Sequence, residues 1–194
     1  PEYDLPHGAI DKMVSAASMH DIGKIAIPDA VLNKPGRLTA EEFEIMKTHS
    51  LKGCELLQSI NEGQDEEYYR FCYDICRSHH ERWDGKGYPR GLKGEEIPRV
   101  GRLMALADVY DALISKRVYK PAFDHETARH IIVEGRGTQF DPLVVEAFLF
   151  EEDAFRSLIS RRRKPLARLQ RLIRSLPIGT RQAGYCNAFP HCSP

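Results

Sequence analysis

Apolar residues in this chain recur every three to four positions, and no run alternates apolar with polar as a half-buried strand would. Ile10, Met13, Ala17 and His20 fall on one helical face. Phe43, Met46, Ser50, Cys54 and Leu57 form a second stripe, with His49 beside it. Tyr68, Cys72, Ile75, Cys76 and His79 form a third, and Leu103, Leu106, Ala107 and Tyr110 a fourth, with Asp108 beside it. The boundaries carry helix-start chemistry. Thr39 and Glu42 read as a capping box, in which each side chain takes the other residue's backbone N–H. Asp124 can cap a helix bearing Ala128, Ile131 and Ile132, and Asp141-Pro142 reads as a cap followed by a first-turn proline. The pattern predicts an all-α fold whose apolar stripes converge in a bundle. Its main interruption runs from Glu81 to Pro98 and holds Gly85, Gly87, Pro89, Gly91 and Gly94. So long a loop inside a helical domain is more often functional than incidental.

Length and charge narrow the reading. At 194 residues and 42% hydrophobic content the chain can bury one ordinary core and still carry a tail. No apolar run approaches the ~20 residues of a membrane span, and no secretory signal is visible. The five cysteines lack a Cys-x-x-Cys pair, which fits free thiols in a reducing cytoplasm. Formal net charge is zero, but from Ala154 to Pro194 there are nine Lys and Arg and no Asp or Glu. The remainder is acidic, which argues against binding a nucleic-acid polymer and suits a carboxylate-bearing metal site. Two segments are therefore expected: residues 1–153 as the working domain and 154–194 as a basic tail. Amphipathic helical pieces are expected between Phe155 and Leu176, interrupted at Pro165, and disorder beyond Pro177. The tail is expected to be dispensable for catalysis, a charge run usually being a solvated face.

The residues with metal chemistry are spread evenly. His49 follows His20 by 29 residues, His79 follows His49 by 30, and Asp108 follows His80 by 28. Each lies on or beside the apolar stripe of a separate expected helix, so His20, Asp21, His49, His79, His80 and Asp108 can meet in one pocket of a bundle. Imidazole with carboxylate suits iron, manganese or zinc, and this many ligands exceed one tetrahedral set. Paired ions suit phosphodiester hydrolysis, because they offset charge on the phosphoryl oxygens and activate water. Asp21 can bridge two ions. Lys24, one turn on, can present its ammonium to a phosphate. Taken singly, each residue has a plain packing explanation, a buried histidine being commonly just hydrogen-bonded; the joint pattern is what counts. Cys72, Cys76 and His79 offer a weaker zinc set, lacking a Cys-x-x-Cys knuckle. His7, His125, His130 and His191 read as surface or tail residues. Trp83 reads as a loop anchor, with ligand stacking open.

At these residues the chain resembles the HD-GYP family of HD phosphohydrolases. The resemblance rests on His20-Asp21-Ile22-Gly23-Lys24, Ile27-Pro28-Asp29, Lys34-Pro35-Gly36 and Met46-Lys47-Thr48-His49. It rests most on the run from His79-His80-Glu81-Arg82-Trp83 through Asp84-Gly85-Lys86-Gly87-Tyr88-Pro89. Ala107-Asp108-Val109-Tyr110-Asp111-Ala112-Leu113, Arg117-Val118-Tyr119-Lys120 and Phe140-Asp141-Pro142 complete it, over roughly residues 9 to 150. The resemblance implies an HD-type helical bundle and hydrolysis of the bacterial second messenger cyclic di-GMP, or a related cyclic dinucleotide, to pGpG and then GMP. It implies His20, Asp21, His49, His79, His80 and Asp108 as ligands to two or three divalent ions, iron or manganese. It implies Lys24, Tyr88, Arg117 and Lys120 as substrate contacts, and Gly87-Tyr88-Pro89 as a loop that shapes the site and can meet a protein partner. The family has a further helix before the His-Asp pair, with another His and in some members a Glu. His7 lies too close to His20 to stand in for it. The helix, and an upstream sensory or receiver domain, are expected outside this sequence. The competing reading is a module that binds a cyclic dinucleotide or a protein and turns over weakly.

Overall fold

A computed structural model describes residues 7–60, 65–115 and 122–160. The described residues are helical, with no named strand among them. Helix α5 (Glu66–Ser78) is central, packing against α1 (His7–Ala16), α4 (His49–Ser59) and α6 (Arg99–Ile114). Helices α7 (His125–Glu134), α8 (Pro142–Phe150) and α9 (Glu152–Ser160) close the far side against α6 and one another. Two short helices, α2 (Asp29–Leu32) and α3 (Ala40–Lys47), lie outside this core. No described helix is long and apolar enough to cross a membrane.

The stripes read from the sequence supply the core. Met13, Val14, Leu57, Cys72, Ile75, Leu103, Leu106, Ile132, Val144 and Phe148 are all buried in one cluster. Each large aliphatic or aromatic side chain in it contributes about 1.5–3 kcal/mol by leaving water. The expected caps are present. Thr39 and Glu42 form the reciprocal box at α3, Asp124 accepts from the Thr127 amide, and Asp141 accepts from the Leu143 amide.

Three expectations change. The stripe from Phe43 to Leu57 does not lie on one helix. Thr48 Oγ1 donates to the Ile45 carbonyl and His49 Nδ1 to the Met46 carbonyl, which satisfies the end of α3 and starts α4 afresh. Phe43 consequently leaves the buried face and is 47% exposed. The first stripe ends similarly: α1 stops at Ala16, and a 3-10 turn over Ala17–Met19 precedes His20. His125, expected at the surface, is buried; its Nδ1 meets the Tyr110 hydroxyl at 2.9 Å and its Nε2 faces Glu152 at 3.3 Å. Helix α9 runs past residue 153, and its Phe155 is buried against Phe148 and Tyr110. The expectations for residues 161–194 lie outside the described residues.

The Glu81–Pro98 loop is held by specific bonds. The buried Glu81 carboxylate accepts the Arg90 and Leu92 amides at 2.8 and 3.0 Å. The Trp83 and Asp84 amides donate to the Gln139 and Thr138 carbonyls, tying the loop to the turn before α8. Arg102 on α6 lies over the Trp83 ring and pairs at 2.7 Å with Asp141, both charges being buried. This favours the anchor reading of Trp83. Gly87 is required where the loop folds back, since a Cβ there would lie 2.4 Å from the Arg82 nitrogen.

Candidate metal centre

Three of the expected histidines share one local device. Each sits where a helical segment ends, and its Nδ1 faces a carbonyl three residues back. His20 meets Ala17 at 2.8 Å, His49 meets Met46 at 2.7 Å, and His79 meets Cys76 at 3.0 Å, with Ile75 also at 3.0 Å. A nitrogen facing a carbonyl must carry the proton. The bond therefore makes Nδ1 a donor and turns each Nε2 inward, the orientation a metal-ligating imidazole requires.

Asp21 is brought to these lone pairs by the turn over Ile22–Ala26, which lies directly on α4. Gly23 makes that approach possible: a Cβ on it would stand 1.9 Å from the His49 carbonyl oxygen. Ligand atoms of Asp21, His49, His79 and His80 all fall within 4.8 Å of one another. His20 Nε2 is 3.1 Å from Asp21 Oδ2 and 3.9 Å from Asp108 Oδ1, so all six expected ligands meet in one region. Lys24 Nζ lies 2.6 Å from Asp21 Oδ2. Tyr88 stacks on His80 with ring centroids 4.7 Å apart. Arg117 and Lys120 lie outside the described residues. The cysteine set finds no such convergence: Cys72 and Cys76 join no metal-ligating group among the described residues.

The electrostatics of the cluster favour a cation. His49 Nε2 and His79 Nε2 face each other at 3.4 Å, and with both Nδ1 atoms protonated two lone pairs oppose. Asp21 Oδ1 is buried with no hydrogen-bond partner, 3.5 and 3.8 Å from those nitrogens. An unpaired buried carboxylate oxygen is costly, and native proteins avoid it. A divalent ion would satisfy the oxygen and both lone pairs together, so the donor set fits a metal. Burial, reinforced by His20 and His49, holds His79 down to about 3, and burial with His79 and His49 holds His80 down to about 2. Burial also lowers His49. All three are neutral near pH 7, as ligands must be. Burial opposes the ionised form of Asp21, but His20 and Lys24 prevail and hold its carboxyl well below the usual range. Burial likewise opposes charging of His20, and its contact with Asp21 raises it on balance.

A cavity of about 330 Å³ adjoins the cluster, its wall including His79, His80, Tyr88, Phe43 and Lys47. The sequence places Phe43 on an apolar stripe and assigns no site role to it, to Lys47 or to the loop-holding Glu81. Glu81 stands beside two histidines, which was a usable signal; the break at Thr48 that aims Phe43 was not.

The HD domain family matches residues 2–144. A cyclic di-GMP phosphodiesterase of Vibrio cholerae is 54% identical over 159 residues, 80% of this chain and 32% of that protein. A cyclic di-GMP phosphodiesterase of Thermotoga maritima is 50% identical over 134 residues, 69% of this chain and 35% of that protein. A 3'3'-cGAMP-specific phosphodiesterase 2 of Vibrio cholerae is 40% identical over 153 residues, 79% of this chain and 28% of that protein. The chain thus spans about a third of the length of the curated relatives it matches. With the ligand cluster and the Gly87-Tyr88-Pro89 loop both present, the chain belongs to the HD domain family, in its HD-GYP branch.

Proposed function

We propose that this chain carries a metal-dependent phosphodiesterase centre that hydrolyses cyclic di-GMP to pGpG and then GMP in the cytoplasm. The observation that carries the reading is the pair of opposed imidazole lone pairs beside the partnerless Asp21 Oδ1. In this reading His20, Asp21, His49, His79, His80 and Asp108 would hold two or three ions, iron or manganese. When bound, such ions supply Lewis acidity toward a phosphoryl group and a source of hydroxide at neutral pH.

The chain's own residues do the rest. Asp21 stays ionised under the influence of His20 and Lys24. Lys24, 2.6 Å from that carboxylate, brings a positive charge to the edge of the pocket, where a phosphate oxygen can take it up. Burial first, then the charges of Asp21 and Asp108, raise Tyr88, so its hydroxyl remains a neutral donor toward the phosphate. Arg117 and Lys120 are assigned to the same phosphates by family resemblance. The Gly87-Tyr88-Pro89 loop is proposed to meet a protein partner on its outer face, and an upstream sensory or receiver domain to control access.

The test is turnover of cyclic di-GMP by protein reconstituted with Mn²⁺ or Fe²⁺ without oxygen, with 3'3'-cGAMP assayed in parallel because one relative is named for it. Hydrolysis to pGpG and GMP is expected. Binding of either dinucleotide without hydrolysis under all metals would overturn it in favour of a binding module. Lys24→Gln should lower kcat/KM about ten- to hundredfold, the worth of one charge-assisted hydrogen bond, while metal stoichiometry is unchanged. Equal loss of metal would reassign Lys24 to the metal shell.

A further inference from the structure

Phe43 is out of place for a residue on an apolar stripe. It is 47% exposed on α3, a helix that buries none of its residues, yet it does not point into open solvent. Its ring meets Tyr88 edge-on at 6.3 Å between centroids, and Tyr88 stacks on His80. Lys47, one turn along α3, holds its ammonium 5.6 Å from the Phe43 centroid and 5.8 Å from that of Tyr88. Phe43 and Lys47 both line the cavity whose inner wall is His79 and His80. A large exposed ring costs hydration unless something covers it. Here it stands at the mouth of the metal pocket, one aromatic ring away from a ligand histidine.

We infer that Phe43 is a base-stacking residue: it receives one purine base of the cyclic dinucleotide on its exposed face while the adjoining phosphodiester lies at the metal cluster. This rests on the function proposed above and adds to it the residue that recognises a nucleobase. The chemistry is that of single-stranded nucleotide binding generally, in which an aromatic face supports the base and nearby cations balance the backbone. Lys47, whose ammonium also pairs with Glu44 at 2.6 Å, serves as that cation. Tyr88, between Phe43 and His80, is left for the phosphate side.

The experiment compares steady-state parameters for cyclic di-GMP with Mn²⁺-loaded protein. Phe43→Ala should raise KM about ten- to hundredfold, the usual range for loss of one base stack, with metal content unchanged. Phe43→Tyr, which keeps a ring, should restore KM; Phe43→Leu, which keeps bulk without one, should not. Ile45→Ala, on the same helix, 40% exposed and outside the cavity wall, should keep the wild-type KM. A wild-type KM in Phe43→Ala, full function in Phe43→Leu, or an equal defect in Ile45→Ala overturns the inference. Should wild-type protein turn over no cyclic di-GMP, the preceding proposal falls, and equilibrium binding of GMP reads the stack instead. Weaker GMP binding by Phe43→Ala then supports the stack, and unchanged binding overturns it.

Discussion

His49 and His125 are both buried imidazoles with carboxylates close by, but their surroundings differ. Around His125 the polar groups close on one another. Tyr110 takes one ring nitrogen and Glu152 the other, and Arg129 and Arg156 meet the same Glu152 carboxylate at 3.1 and 3.2 Å. Arg156 also reaches Glu126 at 2.7 Å. Around His49 the lone pairs meet head-on and a carboxylate oxygen has no partner. Both places bring histidine and carboxylates within ligating distance. What separates them is whether the protein's own cations already complete the set. A His-carboxylate group that arginines neutralise is a fastening between helices; one left with inward lone pairs is a metal site.

The largest expected effect lies on the incomplete side. Asp21→Ala should remove most bound metal and lower turnover about a thousandfold or more, since one carboxylate is proposed to serve both ions and its loss would expose their repulsion. Metal analysis and assay on the same sample check this. On the self-complete side, Arg102→Ala should cost about 3–5 kcal/mol in urea unfolding, because it takes the guanidinium from a buried ion pair and leaves the buried Asp141 carboxylate without it. Metal affinity should fall far less than stability, the pair acting on the loop through Trp83. The finest contrast is between the two kinds of histidine in metal-free protein. His125→Leu should lose about 1–3 kcal/mol, having broken bonds that were fully made. His79→Leu should stay within about 1 kcal/mol of wild type, since relief of the opposed lone pairs offsets the lost bond to the Cys76 carbonyl. If the two variants lost equal stability without metal, the comparison would fail.

What could be read in the sequence was what is decided locally. The stripes at Cys72, Ile75, Leu103 and Leu106 and the caps at Thr39, Asp124 and Asp141 depend on neighbours within a turn or two, and the structure has them as read. That His20, Asp21, His49, His79, His80 and Asp108 gather in one region was legible as a joint pattern. Their mode of orientation was not, because spacing does not reveal that His20, His49 and His79 stand at the ends of helical segments with Nδ1 turned backward. His125 was misread because its partners Tyr110 and Glu152 are 15 and 27 residues away. Phe43 was misread because periodicity runs smoothly across Thr48 while the backbone does not. Each miss needed a contact between elements or a break between helices, which no single stripe encodes.

The central claim is that metal belongs to the Asp21 cluster and not to the His125 cluster. Its most direct test is metal stoichiometry, measured by elemental analysis on wild type, Asp21→Ala and His125→Ala after identical anaerobic reconstitution. The account predicts two or more ions per chain in wild type and in His125→Ala, and at most a small residue in Asp21→Ala. Full metal content in Asp21→Ala, or loss of an ion in a folded His125→Ala protein, would contradict it.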